Sequence, residues 1–166
     1  MIALKWSEIY PEEIQSVSII NSSLQQYSPF YHRLLPSKYI QILTAIFESD
    51  VLKQEKIILS MTSNKIQETI KYLESFSVFA AENKMLKTNV IRQLILAKNI
   101  QINNFPQVIL KVINSKNDRL VASECSQQIA KNLNGKIYYH LTAGHDLPLD
   151  GPEWLSEILM IHQFDF

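Results

Sequence analysis

Apolar positions along the chain alternate between two periods, and the switches divide it into elements. Over 1–10, Ile2, Ala3, Leu4, Trp6 and Ile9 fall on most sides of a helix. That pattern predicts a buried helix, stopped by Pro11. The run 16–21 (Ser-Val-Ser-Ile-Ile-Asn) reads as a buried strand of the parallel-sheet kind. From Leu24 to about Asn103 the period becomes helical, with Pro29 and Pro36 punctuating the entry. Tyr39, Leu43, Ile46 and Phe47 mark one helix face. Asn64 with Gln67 reads as a capping box ahead of Ile66, Ile70, Leu73 and Phe76, and Thr88 as the cap of a helix carrying Val90, Ile91, Leu94 and Ile95. Stripes of this kind predict helix–helix packing.

After Pro106 the strand period returns over 107–113. An amphipathic helix follows over 123–133, with Cys125, Ile129 and Leu133 on one side and Asn134-Gly135 at its end. The β-branched and aromatic run 136–141 predicts a third strand, and Gly151-Pro152 opens a last helix with Trp154, Leu155, Ile158, Leu159 and Ile161 on its apolar side. The predicted class is α/β, a short parallel sheet of about three strands with a helical insertion. Segments 1–23 and 104–166 form the core, and 24–103 forms the insertion.

Composition narrows the function classes. At 166 residues and 46% apolar content, the chain suits one soluble domain. Sixteen basic residues balance sixteen acidic ones, so no basic field points to nucleic acid or an anionic membrane. No apolar run approaches the ~20 residues that span a bilayer. The lone Cys125 excludes an internal disulfide and reads as packing, and a cytoplasmic location is expected. With three glycines, Gly135, Gly144 and Gly151, the sequence holds no phosphate-cradling loop and no glycine-flanked serine turn.

The chemistry sits after two strands. One leads to Asn114-Ser115-Lys116-Asn117-Asp118, the other to Ala143-Gly144-His145. In a right-handed parallel arrangement both loops open on the same edge of the sheet. There an Asp can orient an imidazole that takes a proton from a hydroxyl. Other candidates are weaker. Asp146 points elsewhere, and Asp150 is read as a cap of the last helix near Pro152. His140 and His145 lack a third metal ligand at sensible spacing. His32 and His162 carry no signal.

The acid segment 114–121 and the segment 143–154 resemble the acid loop and the histidine loop with final helix of the α/β-hydrolase family. The opening 1–14 is similar to the helix that follows that family's nucleophile elbow, and 24–103 matches its lid in position and character. The resemblance implies the second half of the fold and a Ser-Asp-His catalytic triad. His145 would be general base and acid, and Asp118 its orienter. It also implies an apolar acyl pocket in which Tyr27, Phe30, Tyr31 and Phe47 are candidates. The reaction would be hydrolysis of a small or medium carboxylic ester, thioester or amide, with no metal or organic cofactor.

The family's first five strands, oxyanion-hole loop and serine have no counterpart here. A chain already inside an apolar helix at its first residues, with no cap before it, reads as truncated. A misplaced start, a disrupted gene and a split protein are the alternatives. Some members place the acid after the sixth strand, where this chain has Asn21-Ser22-Ser23. The expected state alone is inactive, with self-association through the uncovered strand at 16–21. The rival reading is a non-enzymatic fragment or a complementing half-domain.

Overall fold

The computed structural model describes residues 1–161. Its centre is a parallel sheet in the order β1-β2-β3, formed by β1 (Ser16–Ile20), β2 (Ile109–Ser115) and β3 (Lys136–His140). The register sets Ile20 against Ile113, and Ser115 against His140. All three strands therefore end on the same edge. Parallel neighbours need long crossovers. The first is the helical segment and the second is α8 (Ser123–Asn132).

Alternation along β2 sorts the two faces. Leu110 and Val112 join Leu4, Val17, Ile19 and Ile129 in one core, covered by α1 (Ile2–Ile9) and α8. Ile113 joins Ala143, Leu147 and Leu155 in the other, beneath α9 (Leu147–Asp150) and α10 (Pro152–Met160). Lys111 shares that second face and is buried. Its ammonium donates to the carbonyls of Ile158, Leu159 and Ile161 at 3.3, 3.0 and 2.7 Å. A cation thus satisfies the orphan carbonyls at the negative end of the last helix.

The helical segment between β1 and β2 contains α2 (Phe30–Arg33), α3 (Tyr39–Phe47), α4 (Val51–Thr62), α5 (Ile66–Thr69), α6 (Leu73–Glu82) and α7 (Lys87–Asn99). Here several expectations are corrected. Asn64 does not cap, because α5 starts after Lys65 and the Asn64 amide is drawn to the sheet loops instead. Thr88 lies inside α7, whose N-cap is Leu86, with no side-chain cap. The stripe through Ile66 and Phe76 is broken by a 3-10 turn at Ile70–Tyr72. On α3 the buried position is Ala45, whereas Leu43 and Phe47 face outward. Ile91, Leu94 and Ile95 of α7 are also exposed, so its apolar stripe is uncovered among the described residues.

The first helix and strand are less buried than their composition suggests. On α1 only Leu4 and Ser7 are buried, and Ile2, Trp6 and Ile9 face outward. β1 is an edge strand with Val17 and Ile19 inward and Ser16 and Ser18 exposed. The end of α8 follows a Schellman pattern. The left-handed residue is Asn134, at φ 52°, and the Gly135 amide donates to Ala130 at 2.9 Å. Gly135 serves close approach instead, since a Cβ there would lie 2.9 Å from Leu110.

Candidate active site

The turn after β2 carries Asp118. Its amide closes on the Ser115 carbonyl at 3.3 Å, and the Lys116 amide extends the ladder to the His140 carbonyl at 2.9 Å. One Asp118 oxygen, Oδ1, accepts from the Leu120 and Val121 amides at 2.8 and 3.0 Å. The other, Oδ2, lies 2.8 Å from His145 Nδ1. The Asp118 side chain is fully buried, and that of His145 is 29% exposed. Because a carboxylate only accepts, the shared proton sits on Nδ1. Nε2 then presents a lone pair, and no described residue hydrogen bonds to it. A buried acid with an oriented, open imidazole can take up and return a proton at Nε2.

The loop that carries His145 is held on every side. Asn21, at φ 44°, donates through Nδ2 to the His145 carbonyl at 2.7 Å, to the Gly144 carbonyl at 3.3 Å and to Ser115 Oγ at 3.0 Å. Its Oδ1 accepts from the Ser115 amide at 2.7 Å. One side chain thus ties the ends of β1 and β2 to the histidine loop. The Asp146 amide donates to the Thr62 carbonyl at 3.0 Å. Asn64 Nδ2 bridges the Asn117 and Thr142 carbonyls at 2.9 and 3.0 Å, and Arg119 reaches the Ser60 and Ser63 carbonyls at 3.1 and 2.7 Å. The end of α4 is therefore seated on both loops.

Asp150 does not cap the last helix. α10 begins after Gly151 with no side-chain cap, and the Asp150 carboxylate turns to Ser63, Asn64 and Gly144. Asp146 likewise caps nothing with its side chain. His140 is engaged locally. Its Nδ1 accepts from the Ala143 amide at 2.9 Å, and its ring packs edge-on against Trp154. Cys125 is a fully buried packing residue. His162 lies outside the described residues.

No described ring contact joins any of the four aromatic candidates to His145. Tyr27 packs against the first core and lines a cavity of about 740 Å³ with Ile109 and Lys136, at the amino ends of the strands. Phe30 and Phe47 are each 71% exposed, and Tyr31 is exposed beside Phe30. On α3 the residue turned inward is Ala45, and α2 has no buried residue. An open, polar depression of about 620 Å³ does adjoin the acid loop, lined by Asn64, Ile66, Lys116, Asn117, Asp118, Arg119 and Thr142. Sequence reasoning missed Asn21 and Asp150. The available signal was a polar residue closing an apolar strand, and an acid near a histidine loop already crowded by the helical segment.

His140 provides a pH-dependent element. Burial, and then the Lys65 charge, lower its pKa below the ordinary histidine value, with Asp150 opposing. The folded state thus binds fewer protons there than the unfolded chain. Its contribution to stability is present above the ordinary value of about 6.5 and is lost as pH falls through the lowered one. Protonation also removes the acceptor for the Ala143 amide. The denaturation midpoint should fall more steeply on acidification below about pH 6.5 in the natural chain than in His140→Phe. Identical slopes would show that His140 contributes nothing.

The parallel sheet, the helical segment inserted after its first strand and the loops at its carboxyl edge are those of an α/β-hydrolase fold, present in part. Among solved structures, MGS-M2, an α/β-hydrolase enzyme from a Medee basin deep-sea metagenome library, matches with TM-score 0.64 and 17% identity, over 95% of this chain and 59% of its own. The enol-lactonase from Burkholderia xenovorans LB400 matches with TM-score 0.70 and 11% identity, over 95% and 59%. A thermophilic esterase from Thermogutta terrifontis matches with TM-score 0.66 and 10% identity, over 95% and 58%. The chain thus spans just under three fifths of each of these structures. No family model and no curated protein matches the sequence. No described helix is long and apolar enough to cross a membrane.

Proposed function

We propose that this chain supplies the acid and base of a serine-type α/β-hydrolase site, as the second half of that fold. The observation that carries the reading is the 2.8 Å bond between His145 Nδ1 and the buried Asp118, which leaves Nε2 open at the carboxyl edge of the sheet. The nucleophile and oxyanion-hole donors would come from a polypeptide segment with the first five strands. The serine Oγ would attack the acyl carbon of a small or medium ester, thioester or amide, giving its proton to His145 Nε2. That proton would pass to the departing alcohol, thiol or amine as its bond to the acyl carbon breaks. Water would then attack the acyl-enzyme, with His145 again taking and returning the proton. The helical segment would serve as the lid.

The chain alone is inactive on this reading, because no serine in it lies on a glycine-flanked turn and each missing oxyanion donor is worth roughly 3–4 kcal/mol in the transition state. A fluorophosphonate probe should leave the purified chain unlabelled. Adding a polypeptide with the first five strands and a Gly-x-Ser-x-Gly turn should bring stoichiometric serine labelling, lost with His145→Ala. Serine labelling of the chain by itself would overturn the reading.

A second reading, a binding half-domain without catalysis, is favoured by the uncovered edge of β1 and the exposed Ile2, Trp6 and Ile9 beside it. In the same experiment it predicts a stable complex without labelling. The absence of both complex and labelling would sink both readings.

A further inference from the structure

Asp150 is a fully buried carboxylate that forms no ion pair among the described residues, and proton transfer at His145 makes no direct use of it. Three donors converge on it from two separate parts of the fold. The turn after α4 sends Ser63 Oγ to Oδ1 at 2.5 Å and the Asn64 amide to Oδ2 at 2.8 Å. The residue before His145 sends the Gly144 amide to the same Oδ2 at 2.6 Å. Oδ2 is therefore the point at which the helical segment and the histidine loop share one acceptor. A group that only accepts suits three incoming protons, whereas a neutral amide would oppose at least one of them with protons of its own. The junction also leaves no slack, because a Cβ at Gly144 would lie 3.1 Å from Asp150 Oδ2 and 3.0 Å from the Asn64 amide nitrogen.

We infer that Asp150 is a positioning residue, which sets His145 against Asp118 by tying the Gly144 amide to the seated turn Ser63-Asn64. The inference rests on reading His145 and Asp118 as base and acid. Its consequence is that the helical segment is part of the device that orients the base. When the turn after α4 lifts, Oδ2 loses one of its two amides, and the Asp146–Thr62 bond on the other side of His145 is lost with it. The imidazole then keeps its bond to Asp118 above a backbone held only by Asn21 and by the Gly144–Asp150 bond.

The test follows the His145 Nδ1 proton in the full chain, labelled uniformly with 15N. A proton held by Asp118 exchanges slowly with solvent, and a destabilised surface remote from the loop would not alter that. In Asp150→Asn its exchange should quicken about tenfold, comparable to losing a charge-assisted hydrogen bond. The Gly144 and Asn64 amides should quicken with it, while those of β2 stay protected. Asp150→Glu should restore part of the protection. Ser63→Ala, which removes one hydroxyl and spares both amides, should quicken it about threefold, a weaker neutral bond. It keeps the inference testable if Asp150→Asn does not fold. Unchanged Nδ1 exchange in either folded variant would overturn the role of Asp150 and leave the pairing of Asp118 with His145 intact. A natural chain with no protected Nδ1 proton would instead overturn the reading of the acid and base.

Discussion

Gly144→Ala should cost about 3 kcal/mol of stability, near the upper end for overpacking, because the obstruction is backbone. The new Cβ would stand 2.4 Å from the Thr62 carbonyl oxygen, a distance that Cβ atoms do not tolerate. Thr62 cannot swing aside like a flexible side chain. It ends α4, and its carbonyl accepts the Asp146 amide at 3.0 Å. Relief therefore requires the turn after α4 or the histidine loop to move, and either movement opens the bonds that join them. Urea unfolding should show a lower midpoint in Gly144→Ala, with Gly151→Ala as the comparison. The atoms nearest to a Cβ at Gly151 are those of the His140 ring, from 3.0 Å, and a ring can shift. A Gly144→Ala loss no larger than that of Gly151→Ala would show that the helical segment is not tightly seated on the loop.

The same junction shows what was legible in the sequence. Strand periodicity located β2 and β3 to within about two residues, and chain order placed Asp118 and His145 on neighbouring loops. These are local signals, because a β-branched run and the residues just after it carry their own information. The role of Asp150 was not local. Its position before Gly151-Pro152 fits a helix cap, and only the arrival of Ser63 and Asn64 from 86 or 87 positions away redirects it. Asn64 was misread for the same reason, as its amide bridges the Asn117 and Thr142 carbonyls. The aromatic candidates show a different limit. Tyr27, Phe30, Tyr31 and Phe47 were chosen for bulk within the insertion, but periodicity does not say which side of a helix will find a partner. On α3 that side is Ala45, and Phe47 is left outside.

Asn21 combines the two kinds of information, and its replacement should have the largest effect of any single polar side chain in the fold. It closes β1, and its side chain ties the end of β2 to the loop that carries His145. Asn21→Ala removes the acceptor of the buried Ser115 amide and the donor shared by the Gly144 and His145 carbonyls. An orphaned buried amide costs about 1–3 kcal/mol by itself. Alanine must also adopt φ 44°, a left-handed conformation that costs a non-glycine residue roughly 1–2 kcal/mol and that asparagine tolerates better. Together these give a loss of about 4 kcal/mol. Two further variants separate the contributions. Asn21→Gly relieves the backbone and should recover about 1 kcal/mol of the alanine loss. Asn21→Asp keeps an acceptor for Ser115 but sets a carboxylate against the Gly144 and His145 carbonyls, so it should remain near the alanine value. Urea unfolding of the three variants, with the His145 Nδ1 proton followed alongside, measures both stability and the order of the His145 ring. If Asn21→Asp matched the natural chain on both counts, the donated bonds to the histidine loop would carry no weight, and the bonds to Asp150 and Thr62 would be what holds that loop.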